Sequence, residues 1–282
     1  MTAEPPKNLP NLRDVIRIHS LQPRKGLGQH FLLDLSLTAR IARVAGDITA
    51  GSTIEIGPGP GGLTRSLLDA GATVIAIEKD ERCLAPLKEL AGAWPDKLEV
   101  IQGDALRIDA SALGSAPRRV IANLPYNIGT ELLVRWLSKP EAFTSLTAMI
   151  QKEVADRIVA EPGSKTFGRL SVLTGWRWET KRAFDVPPEA FTPPPKVEST
   201  VIHMVPLERS VAEADAKILS RVTAATFGQR RKMLRSSLKA LGDAKSLCAA
   251  ADIDPTLRPE QISVGDFCAL ARAVAEDEQS KG

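Results

Sequence analysis

Residues 53–64 read TIEIGPGPGGLT, a β-branched run that passes directly into a glycine-rich turn and then into a helix-forming segment. A strand, a glycine turn and a helix in this order are typical of the nucleotide-binding unit of parallel α/β folds. Gly57, Gly59 and Gly62 satisfy the spacing G-x-G-x-x-G, which by itself does not distinguish one class of nucleotide-binding enzyme from another. The stretch therefore predicts an α/β fold that binds a nucleotide-like ligand beside this turn.

Further short apolar runs follow this turn, and a helix-sized segment separates each run from the next. This alternation predicts βαβ units and a parallel sheet covered on both faces. After residue 175 the pattern changes to two longer runs around a proline cluster, which predicts an antiparallel pair at the sheet edge. The runs are TVIAI (73–77), LEVIQ (98–102), RVIA (119–122), SLTAMI (145–150), WETKRAFDV (178–186) and STVIHMV (199–205).

The length and composition suit two domains. With 282 residues and 43% apolar content, the chain can bury the core of one large α/β domain and of a small appendage. Residues beyond about 208 show helical periodicity only. We therefore predict an α/β domain over residues 1–207 and a small all-α domain over residues 208–282.

The N-terminal residues and the cysteines limit the cellular setting. The first residues, MTAEPPKNLPNLRDVIRI, contain no apolar run of the length that a signal peptide or a membrane span requires. We therefore expect a cytoplasmic protein with no membrane partner. The three cysteines are far apart in sequence, which argues against a disulfide framework and against a metal site.

The ligand of the glycine turn is more consistent with S-adenosylmethionine than with a dinucleotide. Pro58 and Pro60 remove two backbone N–H groups from the turn that would have to hold a pyrophosphate, and S-adenosylmethionine has no phosphate. Glu78 follows the second strand at the distance at which a carboxylate accepts the ribose hydroxyls. Asp104 is placed to accept a hydrogen bond from the adenine amine, with a helix N-cap as the alternative.

The tetrapeptide Asn123-Leu124-Pro125-Tyr126 follows the fourth strand run and carries the strongest chemical signal. This motif suits methyl transfer to the N6 amine of adenine, which is a weak nucleophile because its lone pair is delocalised into the ring. The Asn123 side-chain oxygen and the Leu124 carbonyl can accept both N6 hydrogens and so favour a pyramidal nitrogen, while Pro125 stiffens the turn. Tyr126 offers a flat face for a flipped-out base. Phe191 is predicted either to cover the other face of the base or to belong to the core.

A basic segment lies between residues 228 and 242, GQRRKMLRSSLKALG, with five cations and no acid. A spacing of four residues places Arg231, Arg235 and Lys239 on one side of a predicted helix. This pattern predicts an RNA-binding surface, with a solvated helix face as the alternative. The predicted RNA-binding residues are Arg230, Arg231, Lys232, Arg235 and Lys239.

Over nearly its whole length the chain resembles the ribosomal RNA adenine dimethyltransferases of the kasugamycin-sensitivity type. The matching segments occur in the order and with the spacing of that family. They are GQHFL (28–32), EIGPGPGGLT (55–64), Glu78, GDAL (103–106), NLPYNI (123–128), FGRLSV (167–172), FTPPPKVES (191–199) and FGQRRKMLRSSL (227–238).

The resemblance implies a Rossmann-like class I methyltransferase domain, with a mostly parallel seven-stranded sheet, and a small all-α C-terminal domain. It implies that residues 28–32 fold over the cofactor and that Asn123 to Tyr126 hold the target adenine. The substrate it implies is a pair of adjacent adenosines in the 3′-terminal hairpin loop of small-subunit RNA, presented within an assembling subunit. We also expect the enzyme to be a monomer. The cofactor-binding residues expected on this basis are His30, Leu32, Gly57, Gly59, Glu78, Asp104 and Asn123. His30 departs from the family pattern, which usually has asparagine at this position.

Three other functions are compatible with parts of the sequence. A resistance-type methylase of large-subunit RNA shares the asparagine-x-proline-tyrosine motif, although FGRLSV and FGQRRKML argue against it. An assembly factor that binds immature subunits and methylates incidentally is the second. An NAD oxidoreductase is the third, and it lacks a candidate proton-relay residue near the glycine turn.

Overall fold

A seven-stranded sheet organises the protein in a computed structural model, which describes residues 9–280. Counted from one edge of the sheet, the first five strands are parallel to one another, and the sixth is antiparallel to the fifth. The strands are β1 (Phe31–Leu32), β2 (Ser52–Ile56), β3 (Val74–Glu78), β4 (Leu98–Gln102), β5 (Arg118–Asn123), β6 (Ser145–Gln151), β7 (Trp178–Val186), β8 (Phe191–Thr192) and β9 (Ser199–Pro206). The sheet order is β4-β3-β2-β5-β6-β9-β7, and β1 pairs separately with β8.

The helices alternate with the strands up to β6 and then dominate the C-terminal part of the chain. They are α1 (Leu12–Ile18), α2 (Leu35–Val44), α3 (Gly62–Asp69), α4 (Leu84–Ala93), α5 (Gly129–Leu137), α6 (Lys152–Ile158), α7 (Arg169–Arg177), α8 (Ala216–Gly228), α9 (Leu234–Ser237), α10 (Ala244–Ala250) and α11 (Val264–Ser280). No helix within residues 9–280 is long and apolar enough to cross a membrane.

The predicted sheet is confirmed, strand by strand. Every residue of β2 and of β3 is buried, as expected for central strands covered on both faces. Their register pairs Thr53 with Val74 and Ile56 with Ile77, so both strands end at the same edge of the sheet. The proline cluster separates β7 from β9, which are neighbours at the far edge.

The chain divides into two compact units, each assembled from separate stretches of sequence. Of the described residues, the first comprises 9–132, 141–152 and 181–205, and one apolar cluster in it includes Ile41, Leu67 and Ile121. The second comprises residues 133–140, 153–180 and 206–280, and the rings of Phe167, Phe227 and Phe267 pack together within it. The predicted domain boundary at residue 208 stays a prediction. The outer ends of the two predicted domains, residues 1–8 and 281–282, lie outside the described residues.

The prediction of one basic helix between residues 228 and 242 is wrong. Helix α8 ends at Gly228, and Met233 has an extended backbone with ψ of 156°. The backbone amides of Leu234 and Arg235 donate to the carbonyls of Leu257 and Pro255 instead of continuing a helix from α8. Tertiary hydrogen bonds thus override the local helical periodicity, and Arg231 does not share a helix with Arg235.

Candidate active site

A cavity in the first unit lies where the parallel strands β2, β3, β4 and β5 end. Ligands bind at this edge in open α/β sheets, because the loops that follow the strands converge there. The segment that precedes β1 forms a further wall. The lining consists of Gly26 to Phe31, Ile56, Gly57, Gly59, Ile77 to Lys79, Gly103 to Ala105 and Asn123 to Ile128.

The glycine turn between β2 and α3 needs glycine at two positions for space as well as for conformation. Gly57 and Gly59 have φ of +65° and +56°, in the left-handed region that other residues rarely adopt. A Cβ atom on Gly59 would lie 3.1 Å from the Phe31 ring, and one on Gly57 would lie 3.3 Å from Pro125. The bare backbone therefore brings the turn close to both neighbouring walls of the cavity.

The amides of this turn are already used inside the protein. Gly57 N–H donates to the Ile77 carbonyl, and Gly61 N–H donates to the Pro58 carbonyl. Gly59 N–H donates to Glu78 Oε2 over 2.9 Å. Since Pro58 and Pro60 have no N–H, residues 57–61 present no free amide for a pyrophosphate. This geometry disfavours a dinucleotide and agrees with the interpretation of the two prolines from the sequence.

Glu78 is held rigidly at the end of β3 and lines the cavity. Its side chain is only 5% exposed, and its second oxygen, Oε1, accepts the Asp80 N–H over 2.7 Å. Burial raises the pKa of this carboxyl, although the two amide hydrogen bonds favour its charged form. A carboxylate accepts about four hydrogen bonds, so Glu78 keeps acceptor capacity for a ligand.

Asp104 lies on the rim of the same cavity, after β4. Its Oδ1 accepts the Leu106 N–H over 2.9 Å, and its Oδ2 pairs with the Lys79 ammonium over 2.9 Å. The Lys79 hydrogen bond lowers the pKa of this carboxyl. The structure thus realises a turn-capping role close to the N-cap alternative and also leaves Asp104 facing the ligand space.

Asn123 ends β5 with its side-chain amide fixed in one orientation. Its Nδ2 donates to the His30 backbone carbonyl over 3.2 Å, which leaves Oδ1 as an acceptor at the cavity wall. In the turn that follows, the amides of Ile128 and Gly129 both donate to the Pro125 carbonyl. No backbone amide among residues 9–280 donates to the Leu124 carbonyl, so this oxygen too remains an acceptor.

Tyr126 stands beside these acceptors with its ring anchored at both ends. Its hydroxyl shares a 2.5 Å hydrogen bond with Ser199 Oγ, and its ring lies 5.4 Å from the His30 ring at an interplanar angle of 31°. Burial raises the pKa of the phenol. The ring is half-buried and lines the cavity, so one surface remains available to a ligand.

His30 connects the segment before β1 with the proline-rich loop, which is the proline cluster between β7 and β9 and contains Pro193. Its Nδ1–H donates to the Pro193 carbonyl over 2.8 Å. The ring also meets Phe191 edge-on, with ring centroids 6.4 Å apart. Phe191 is 2% exposed, belongs to the buried apolar cluster that contains Ile41, and does not line the cavity. This placement corrects the assignment of Phe191 to the target base and favours its alternative as a core residue.

Leu32 lies outside this cavity but lines a small adjoining recess. The recess also contains His30, Asn123 and the fully buried Glu55. Burial raises the pKa of Glu55 to about 8, and its Oε2 has no hydrogen-bond partner among the described residues. Of the predicted cofactor-binding residues, the structure brings His30, Gly57, Gly59, Glu78, Asp104 and Asn123 to the cavity itself.

Sequence reasoning missed several residues that line the cavity. Lys79 and Asn127 directly follow assigned residues, and Gln29 lies inside the GQHFL segment. A polar side chain beside a recognised motif is the signal that would have found them. Gln29 hydrogen-bonds Asp80, a contact between positions 51 residues apart, which no local pattern could have indicated.

The predicted RNA-binding cations belong to the second unit and differ in exposure. Arg231, Lys232, Arg235 and Lys239 are exposed. Arg230 is partly buried, where its guanidinium donates to the Ser164 carbonyl over 3.3 Å. Arg230 therefore has a structural contact in addition to any surface role, whereas the other cations project into solvent.

Comparison with known proteins identifies close relatives. The model of the family described as "Ribosomal RNA adenine dimethylase" matches residues 20–276. The chain is 61% identical over 271 residues to the Ribosomal RNA small subunit methyltransferase A of Rhodospirillum rubrum, covering 96% of this chain and 94% of the relative. It is 60% identical over 272 residues to the protein of the same name in a Ruegeria species, covering 95% and 97% of the two chains.

Solved structures agree on the fold. A dimethyladenosine transferase from Plasmodium falciparum superposes with a TM-score of 0.69 and 23% identity, over 88% of this chain and 98% of that chain. The 23S rRNA methyltransferase ErmE superposes with a TM-score of 0.60 and 23% identity, over 87% of this chain and 99% of that chain. The predicted Rossmann-like class I methyltransferase fold is thus confirmed.

Proposed function

This chain belongs to the ribosomal RNA adenine dimethylase family, and we propose that it methylates N6 of two adjacent adenosines in the 3′-terminal hairpin loop of small-subunit ribosomal RNA. It is an S-adenosylmethionine-dependent methyltransferase, and each target becomes N6,N6-dimethyladenosine. The observation that carries the proposal is the fixed orientation of Asn123, whose Oδ1 is left as an acceptor beside Tyr126 in the cavity.

The cavity fits S-adenosylmethionine. When bound, this cofactor supplies an electrophilic methyl group. The glycine turn, whose bare backbone a Cβ would fill, and the buried Glu78 carboxylate provide space and a ribose acceptor. Asp104 on the rim would accept from the adenine amine of the cofactor, and His30 and Asn123 would border the cofactor near the turn formed by residues 123–126.

The chemistry of this site consists of positioning and hydrogen bonding. Asn123 Oδ1 and the Leu124 carbonyl would accept the two hydrogens of the target N6 and favour a pyramidal nitrogen with a localised lone pair. Once the first transfer is complete and the nitrogen has released one proton to solvent, it keeps one N–H, which one of these acceptors would still orient. The hydrogen bond from Asn123 Nδ2 to the His30 carbonyl fixes the amide so that Oδ1 is the atom left to accept from the target.

Tyr126 would hold the target base by stacking. Extruding a base from its stack costs a few kcal/mol, and an aromatic platform returns about 1–3 kcal/mol per base. The hydrogen bond to Ser199 and the neighbouring His30 ring hold the tyrosine ring in place before the base arrives. Such preorganisation reduces the free energy that is needed to order the site when RNA binds.

We assign RNA docking to the exposed cations of the second unit, and we assign methyl transfer to the cavity of the first unit. Arg231, Lys232, Arg235 and Lys239 can contact phosphates without affecting the cavity, since they belong to the other compact unit. We assign Arg230 a supporting role, because its guanidinium already contacts Ser164. On this basis residues 208–282 are the RNA- and ribosome-binding domain.

The finer biological setting is also part of the proposal. The substrate would be presented on the assembling small subunit, and the enzyme would act as a cytoplasmic monomer. A surface that binds phosphates suits a substrate whose shape, rather than whose local sequence alone, is recognised.

Methylation of isolated ribosomal subunits tests the proposed function. Small subunits from a strain that lacks this enzyme should gain N6,N6-dimethyladenosine near the 3′ end of their RNA, detected by mass spectrometry of nuclease fragments. Large subunits in a parallel reaction serve as the control and should stay unmodified. Methylation of the large-subunit RNA, or of a different base, would contradict the proposal.

A second experiment separates catalysis from assembly. The strain is complemented with either the wild-type protein or the Asn123→Ala variant, and the abundance of mature small subunits is measured. If methylation is the main role, the variant should fail to restore maturation. Full restoration by the variant would instead favour an assembly factor whose methylation is incidental.

A further inference from the structure

The segment Gln22–Phe31 forms one wall of the cavity and is anchored by apolar contacts at both ends. Leu21, just before it, and Phe31 belong to one buried cluster with Cys83 and Leu87. Between these anchors the residues from Gly26 to Phe31 line the cavity opposite the strand ends. A ligand in the cavity therefore lies between this segment and the sheet edge.

A polar network holds the middle of this segment. The Gln29 side chain accepts the Arg24 N–H at Oε1 over 2.9 Å and donates from Nε2 to Asp80 Oδ2 over 2.9 Å. Gln29 thus connects the turn at Arg24 to Asp80, which lies two residues after Glu78 at the end of β3. Glutamine suits this role because its amide both donates and accepts.

Asp80 is fixed in turn by Arg82. The guanidinium contacts both carboxylate oxygens, with Nε–Oδ1 of 2.9 Å and Nη2–Oδ2 of 2.6 Å, and its Nη1 donates to the Gln22 carbonyl over 3.0 Å. Asp80 is 4% exposed, and its hydrogen bonds with Arg82 lower its pKa to about 2. Its own N–H donates to Glu78 Oε1, so the network continues to the proposed ribose acceptor.

We propose that Gln29 and Arg82 are positioning residues that act through Asp80 to hold the segment Gln22–Phe31 over the cavity and so set how long S-adenosylmethionine stays bound. Arg82 secures the start of the segment at Gln22, and Gln29 secures its turn at Arg24. The inference rests on the proposed function, because it takes the cavity as the cofactor site.

Measurement of cofactor dissociation tests this role. In Gln29→Ala the rate constant for release of tritiated S-adenosylmethionine should rise on the order of tenfold, the effect of losing one hydrogen bond to a charged group. The single-turnover rate of methyl transfer at saturating cofactor should stay within about twofold of wild type, since the groups at Asn123 to Tyr126 are untouched. Gln102→Ala is the matched control, because it removes an exposed glutamine that bonds Glu81 and not Asp80.

Two further variants separate the halves of the network. Gln29→Glu can still accept the Arg24 N–H but brings a second carboxylate against Asp80, so its dissociation rate should exceed that of Gln29→Ala. Arg82→Lys keeps a charge near Asp80 but cannot contact both carboxylate oxygens and the Gln22 carbonyl in the same geometry, so it should give an intermediate rate. Hydrogen exchange of the peptide that spans residues 22–30 should accelerate in the same order.

The outcomes distinguish this inference from the proposed function. If wild type binds S-adenosylmethionine but Gln29→Ala releases it no faster than Gln102→Ala does, the network has no positioning role and the proposed function stands. A large decrease in the single-turnover rate of methyl transfer in Gln29→Ala would also overturn the inference, because it would place Gln29 in the reaction itself. Failure of wild type to bind the cofactor would contradict the proposed function.

Discussion

The side-chain amide of Asn123 donates a hydrogen bond to the backbone carbonyl of His30 over 3.2 Å. This contact joins the end of β5 to the wall before β1 and determines which end of the amide faces the cavity. The His30 ring in turn contacts Tyr126 and donates to the Pro193 carbonyl. His30 therefore links the turn formed by residues 123–126 to the proline-rich loop, and Asn123 Oδ1 is oriented toward the cavity before any ligand binds.

Asn123→Ala should lower the rate of methyl transfer by a factor on the order of a hundred or more, because a preorganised acceptor of the transition state is lost. Asn123→Asp gives a sharper comparison, since its carboxylate places an oxygen against the His30 carbonyl, where the amide nitrogen now donates. We expect it to be as slow as the alanine variant despite its similar shape. Single-turnover assays on small subunits measure both, and near-normal turnover in either variant would remove the central step of the mechanism.

Glu78→Ala should weaken cofactor binding and also destabilise the fold. Cofactor affinity should fall about tenfold or more, because a charged hydrogen bond contributes about 1.5–3 kcal/mol. The fold should lose stability because Gly59 and Asp80 would each keep a buried N–H without its acceptor, at about 1–3 kcal/mol for each group.

Asp104→Asn is the comparison for Glu78→Ala, since Asp104 lies on the rim and its side chain is 25% exposed. This variant should weaken cofactor binding and change the free energy of unfolding little. Calorimetric titration and urea unfolding measure the two effects. Equal stability losses in both variants would contradict the structural role of Glu78.

The buried Glu55 should make stability depend on pH. Burial raises its pKa from 4.5 to about 8, so between these values the folded protein holds a proton that the unfolded chain releases. This stabilisation is complete below pH 4.5 and is lost as the pH rises toward 8. The free energy of unfolding should therefore fall by up to about 1.4 kcal/mol per pH unit over this window from Glu55 alone.

Glu55→Gln should remove that slope, because a glutamine does not titrate. Urea unfolding at several pH values between 5 and 8 measures it for wild type and variant. Glu99→Gln, which changes an exposed glutamate on β4, is the control and should keep the wild-type slope. The same slope in Glu55→Gln as in wild type would show that Glu55 is already ionised in the folded protein.

The sequence predicted the sheet well because its strands are short, buried and bounded by glycine and proline. It placed Glu78, Asp104 and Asn123 at one edge for the same reason, since parallel strands end together. Side-chain direction could not be predicted: Phe191 lies near the site in space but points into the core. The break after Gly228 was also missed, because it depends on the carbonyls of Pro255 and Leu257, more than twenty residues away in the chain.

Removal of three exposed cations should separate RNA docking from chemistry. In a variant with Arg231, Arg235 and Lys239 all changed to glutamine, the dependence of log affinity on log salt should lose roughly 0.7–0.9 for each phosphate contact, and cofactor binding should not change. Methylation should be slow at limiting subunit and recover at high subunit concentration, as expected when uniform binding is lost.

A charge-matched control changes Lys88, Lys217 and Lys245, which are also exposed, and should keep the wild-type salt dependence. Because the exposed cations do not share one helix, the three single variants should weaken binding independently. A wild-type salt dependence in the triple variant would show that this surface is only solvated, and the phosphate contacts would have to lie elsewhere.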